Sequence, residues 1–142
     1  MDPPPPRMPA PPAKPVPSWR IKCGEAVPYF LGALTAAAFV QLTLGGLWAV
    51  GFNDDARWLH VEVVIHAVEF LVYILVFLGF LGRDYWTGGA CVVLVFLIGA
   101  QYALIENATW LRGLHVANGV LVFAIPLVLL VRRLPARKAP PA

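Results

Sequence analysis

Three histidines, His60, His66 and His115, are the side chains in this 142-residue sequence best suited to chemistry. His60 and His66 open the second of four long apolar stretches, and His115 opens the fourth. An imidazole can ligate a metal through either ring nitrogen or exchange a proton near neutrality. Placed inside a lipid-spanning segment, such a group is costly enough to be read as functional, with a partner to be named. If the second and fourth stretches cross a membrane in the same direction, each supplies the other's partner. A histidine from each helix, at matched depth, is what axial ligation of a b-type haem requires.

The elements that must position them follow from composition. The chain is 59% hydrophobic and only 13% charged, with a mean hydropathy of +0.71, which excludes a soluble core with a polar surface. Four segments reach the ~20 residues a bilayer crossing needs: 27–50, 59–81, 87–105 and 114–131. A soluble bundle would need polar outer faces that these segments lack. Short connections make neighbours antiparallel, so the fold class is all-α, an integral membrane four-helix up-down bundle occupying 23–133. The leading segment 1–22 is predicted to be an extended or disordered tail, since its first seventeen residues carry nine prolines and leave no room for a helix interior or a signal-peptide core. A shorter tail, 134–142, is basic and proline-containing.

Arg7, Lys14, Arg20, Lys22, Arg83, Arg132, Arg133, Arg137 and Lys138 fall in the tails and the second connection. The positive-inside rule then predicts that both termini are cytoplasmic and the histidines outward, as in a bacterial inner membrane. The net charge of +3 is a topology signal; no basic stripe interleaved with aromatics suggests nucleic acid. Trp19, Tyr29, Trp58, Tyr85, Trp86 and Trp110 fall near span ends and read as interfacial anchors. Cys23 and Cys91 lie too far apart along the chain and the bundle to form a structural disulfide, and no CxxC motif is present.

At 100° per residue, His66 shares a face with Glu62, Glu69, Phe70, Tyr73 and Phe77, whereas His60 points about 120° away. His115 shares its face with Asn118, Gly119, Val122 and Pro126. The expected ligands are therefore His115 and His66, with His60 as the rival second ligand. Levelling the two helices at their cytoplasmic arginines selects His66, and levelling them at their outer arginines selects His60. Gln41 on helix one and Gln101 on helix three could bond across helices, and Gly45, Gly46 and Gly119 would make room for a flat macrocycle. Arg57-Trp-Leu-His60 is echoed by Arg112-Gly-Leu-His115 at an offset of 55, and a competing echo sets His66 and Arg83 against His115 and Arg132 at an offset of 49, so any internal repeat is weak.

Other readings of the same residues stay open. Glu62 and Glu69 flank His66 and could help hold a metal, although di-iron bundles draw carboxylates from most helices. Glu62, His66, Glu69 and Glu106 could line a proton or small-solute path. A cofactor-free accessory subunit, in which buried His, Glu and Gln fix packing or contacts with other membrane subunits or a second copy, belongs to a different class. No Ser/His/Asp arrangement, phosphate loop or Cys/His metal spacing points to an enzyme.

The segment Leu114-His115-Val-Ala-Asn118-Gly119, with Gln41 to Leu47, resembles a family of small, uncharacterised bacterial four-helix membrane proteins whose last helix opens Leu-His-x-x-Asn-Gly. The same features distantly resemble one half of haem A synthase. That resemblance, covering roughly 30–133, implies a haem between histidines on helices two and four. The family's glycine shortly after the helix-two histidine is replaced here by Val64 or Phe70, depending on which histidine is aligned. The outer catalytic loop and the doubled helix count of the synthase are not matched, so its reaction is not implied.

Overall fold

The computed structural model describes residues 15–51, 54–106 and 111–134. Most of the proline-rich tail, the last eight residues and the anchor candidate Trp110 lie outside them, as do the side chains of Glu106 and Arg112. All regular structure among the described residues is helical, and four helices are long and apolar enough to cross a membrane. Helix α1 spans Ser18–Ala49. Helix α2 runs through Asp54–Trp58, a π-helical stretch Leu59–Val64, and Ile65–Leu81. Helix α3 spans Tyr85–Glu106 and α4 spans Leu111–Val131.

Helix α1 begins well before the expected span, because the proline run ends at Pro17. That residue sits at the N-cap with φ −58°, and the next proline, Pro28, lies inside the helix and forgoes one backbone bond. The basic residues Arg20 and Lys22 therefore ride on helix rather than on an extended tail.

The helices form a square. Helix α1 packs on α2 and α4, α3 packs on α2 and α4, and the diagonal pairs make no close backbone contact among the described residues. The reason is legible in the buried positions. Helix α1 turns Val27, Leu31, Leu34 and Ala38 inward, and α3 turns Thr87, Cys91, Leu94, Ile98 and Gln101 inward. These steps of three and four residues mark one face of an α-helix. Leu31, Leu34, Val68, Val72, Leu75 and Leu94 are fully buried and make the middle of the bundle apolar.

One end is closed by the α2–α3 turn. Arg83 takes a left-handed conformation (φ 62°), its N–H donating to the Phe80 carbonyl while the Asp84 N–H donates to that of Gly79. This crossed pair of bonds is a Schellman ending. The strands of backbone then run so close that a Cβ on Gly79 would stand 2.6 Å from the Gly88 nitrogen. Asp84 caps α3 by accepting from the Thr87 N–H at 3.2 Å and pairs with Arg133 just beyond α4. Arg133 also donates to the Thr87 hydroxyl at 3.1 Å, and partial burial lowers its pKa from the ordinary guanidinium value. Gly82 abuts Gly24 of α1. Arg20, Lys22, Arg83, Arg132 and Arg133 thus gather at this end of the bundle.

Candidate functional site

The opposite end carries the polar side chains, and the route to them runs through an irregularity in α2. Its buried residues are Ala56, His60, Ile65, Val68, Val72, Leu75 and Gly79. The step from His60 to Ile65 is five residues, where an α-helix would leave His60 roughly 140° off the buried face. The π-helical segment 59–64 absorbs that extra residue through i→i+5 bonding and returns His60 to the interior, where it is 6% exposed.

Across the diagonal, the His60 and His115 rings meet edge to face with centroids 6.4 Å apart. Each ring is held from a third helix. His60 Nδ1 lies 2.9 Å from the Gln41 carbonyl oxygen on α1, so Nδ1 carries the proton and Nε2 the lone pair. Its ring also lies against Gly45, where a Cβ would come within 2.9 Å of Cε1. On α3, the buried Gln101 amide, oriented to satisfy both of its ends, donates to His115 Nδ1 and, at 3.2 Å, to its carbonyl oxygen. The same amide accepts from the Gly119 N–H at 2.9 Å. Asn118, one turn along from His115, donates to the Leu97 carbonyl at 2.7 Å. The Gln41 Oε1 and Asn118 Oδ1 atoms are buried without hydrogen-bond partners; each such acceptor costs about 1–3 kcal/mol when unmet.

All four helices therefore contribute to one polar layer: Gln41 and Gly45, His60, Gln101, and His115 with Asn118 and Gly119. Trp48 completes it, its ring 6.2 Å from that of His60 with the Arg57 guanidinium 5.7 Å above the indole. Trp48 carries no signal in the sequence beyond its place near a span end. It continues the inward steps Ala38, Gln41, Gly45 by three more residues, and that extension would have found it.

His66 stands elsewhere. Glu62, His66, Glu69, Phe70, Tyr73 and Phe77 do share one side of α2, as their spacing predicts, but that side faces outward, with Phe70 66% and Phe77 67% exposed. The preference for His66 as partner of His115 is thus corrected to His60. The smaller side chains Ile65, Val68, Val72 and Gly79 fit the close packing against α1 and α3, and the aromatic stripe is left outside. His66 Nδ1 bonds Glu69 Oε2 at 3.2 Å, the two side chains being 62% and 24% exposed. Glu69 Oε1 accepts from the Tyr102 hydroxyl of α3 at 2.8 Å. In a bilayer a charged group at this depth would cost about 3 kcal/mol on insertion scales, a cost these hydrogen bonds would reduce.

Two of the three glycines do not leave the gap expected of them. His60 fills the space at Gly45, the Gln101 amide and Leu42 stand 3.4 and 3.7 Å from a Cβ placed on Gly119, and Gly46 borders open space. Two imidazoles on one metal at about 2 Å per bond need ring centres roughly 6 Å apart, which the His60–His115 separation meets. In this arrangement only His60 has a free ring nitrogen, because Gln101 donates to His115 Nδ1 and leaves the proton on its Nε2. A bis-imidazole site would need the Gln101 amide turned over, and a macrocycle would also require the rings to leave their mutual contact. No protein-family model, curated protein or solved structure matches the chain.

Proposed function

We propose that this chain is a small multi-pass protein of a bacterial inner membrane that holds one b-type haem between His60 and His115 for electron transfer or haem handling. The observation that carries the reading is the pair of imidazoles meeting across the diagonal from α2 and α4, each fixed through its other nitrogen by α1 or α3. Such outer partners set tautomer and ring orientation at metal sites. A bound haem supplies one-electron chemistry at a potential tuned by its axial ligands and surroundings. The chain's own part is to present His60 Nε2 with its Nδ1 proton held by Gln41, and to place Trp48 and Arg57 over the outer side. His115 would offer Nε2 to the iron only if Gln101 turned its oxygen toward Nδ1, the reverse of the orientation that satisfies both ends of the amide, so this amide would select the tautomer. The gathering of Arg20, Lys22, Arg83, Arg132 and Arg133 at the far end supports a topology with both termini cytoplasmic and the histidine layer outward.

The edge-to-face contact of the rings and the filled space at Gly45 and Gly119 favour a second reading, a cofactor-free accessory subunit whose polar layer fixes helix register. A reduced-minus-oxidised absorption spectrum of detergent-purified protein from haem-supplied cells separates the two. Haem binding gives sharp Soret and α bands that are lost in His60→Ala and in His115→Ala and kept in His66→Ala. A featureless wild-type spectrum, or bands that survive His115→Ala, overturns the haem site.

A further inference from the structure

The outer face of α2 presents a problem that the histidine layer does not solve. Glu69 stands near the middle of the apolar run 59–81, beside a groove of ≈270 Å³ lined by Val72, Tyr73, Ile98, Gly99 and Tyr102. Ionisable groups at this depth ordinarily face a bundle interior or a water-filled cavity. Here Glu62, His66 and Glu69 follow one another at successive turns on the outside of the bundle, with His66 and Glu62 exposed. The Tyr102 hydroxyl and the His66 ring occupy only part of the acceptor capacity of Glu69.

We propose that this face is a dimer interface, covered in the membrane by the same face of a second copy of the chain. The stripe is complementary to itself: an imidazole sits between two carboxylates one turn away on either side. A two-fold axis along the membrane normal keeps both copies in one orientation and brings equal depths together. Identical residues then meet at the axis, and each His66 reaches the Glu62 or Glu69 of the other copy diagonally, one turn up or down; the low dielectric strengthens those bonds. Gly99 allows close approach, since a Cβ there would meet nothing within 4 Å, and small residues are the usual means by which membrane helices meet. Phe70 projects at the depth of the groove and supplies a ring to fill it in the other copy. A different membrane subunit would need only one member of each pair, whereas this stripe carries both. The inference is independent of haem, because neither His60 nor His115 contributes to it.

The test uses full-length protein with Cys23→Ser, leaving the buried Cys91 in place. Tyr73→Cys on the proposed face and Val128→Cys on α4 are oxidised with copper phenanthroline in liposomes. The expected result is a disulfide-linked species of twice the 15.5 kDa chain mass for Tyr73→Cys and not for Val128→Cys. Energy-transfer titrations in liposomes should show dimerisation weakened roughly five- to thirty-fold by His66→Leu with Glu69→Leu, while the histidine layer and helix content stay unchanged. A monomeric wild-type chain, linkage through Val128→Cys alone, or linkage of Tyr73→Cys only to a different polypeptide in native membranes would each overturn the proposal.

Discussion

At the scale of single residues, Gly45 is the most constrained position of the layer. A Cβ there would stand 2.9 Å from His60 Cε1 and 3.3 Å from Nδ1, closer than packed atoms tolerate. Gly45→Ala should push the imidazole off the Gln41 carbonyl and lower stability by about 1–3 kcal/mol, whereas Gly46→Ala, which meets nothing within 4 Å, should be near neutral. Thermal melts of helix content in detergent check the pair, and equal melting temperatures would count against the packing described. The sequence pointed to Gln41, Gly45 and Asn118 because each is small or polar within an apolar run. Gln101 was visible as a helix-bridging group, but its grip on His115 depends on how α3 and α4 face each other, which no local pattern records.

For the helices as units, the lesson lies in α2. Apolar length alone located all four segments, and regular periodicity gave the correct face of α4, with His115, Asn118 and Val122 on one side. The same arithmetic rightly set His60 off the His66 stripe but not in line with Ile65 and Val68, since it assumes one rotation per residue throughout. The π-helical stretch changes that rotation, and its residues, Leu-His-Val-Glu-Val-Val, look like any other stretch of an apolar helix. Removing Val61 turns the five-residue step between His60 and Ile65 into an α-helical four. That deletion should keep His60 inside and preserve a monodisperse, helical protein. Deleting Ala67 instead rotates everything before it by about 100° relative to the core, carries His60 outward and should cause misfolding. Size-exclusion profiles and melts of the two deletions provide the comparison; similar behaviour of both would argue against the register assigned to α2.

For the molecule as a whole, the two ends are built by different means. The basic end is fastened by the Asp84–Arg133–Thr87 contacts and by glycine-to-glycine approach of α2 on α3. The opposite end relies on side-chain hydrogen bonds made mostly to backbone groups of the neighbouring helix. Asp84→Ala removes both the α3 cap and the partner of a half-buried guanidinium, and should destabilise by about 2–4 kcal/mol. Arg133→Lys should recover only part of the loss from Arg133→Ala, because an ammonium cannot span the carboxylate and the Thr87 hydroxyl as a planar fork does. Melting temperatures of the three variants test this, and no change in Asp84→Ala would remove the contacts from any account of stability.

Because Arg133 follows α4, the fastening of the basic end also orders the assembly of the chain in time. On the membrane reading proposed above, α2 and α3 could close their turn early in synthesis, but Asp84 waits for a guanidinium that follows all four helices in the chain. Until then, α1, α2 and α3 would form an open tray whose fourth wall is missing and whose Gln101 amide lacks its His115 and Gly119 partners. The last helix closes that tray from both ends, meeting Gln101 with His115 and Asp84 with Arg133, so a nascent chain arrested before position 133 should remain a client of the membrane insertion machinery.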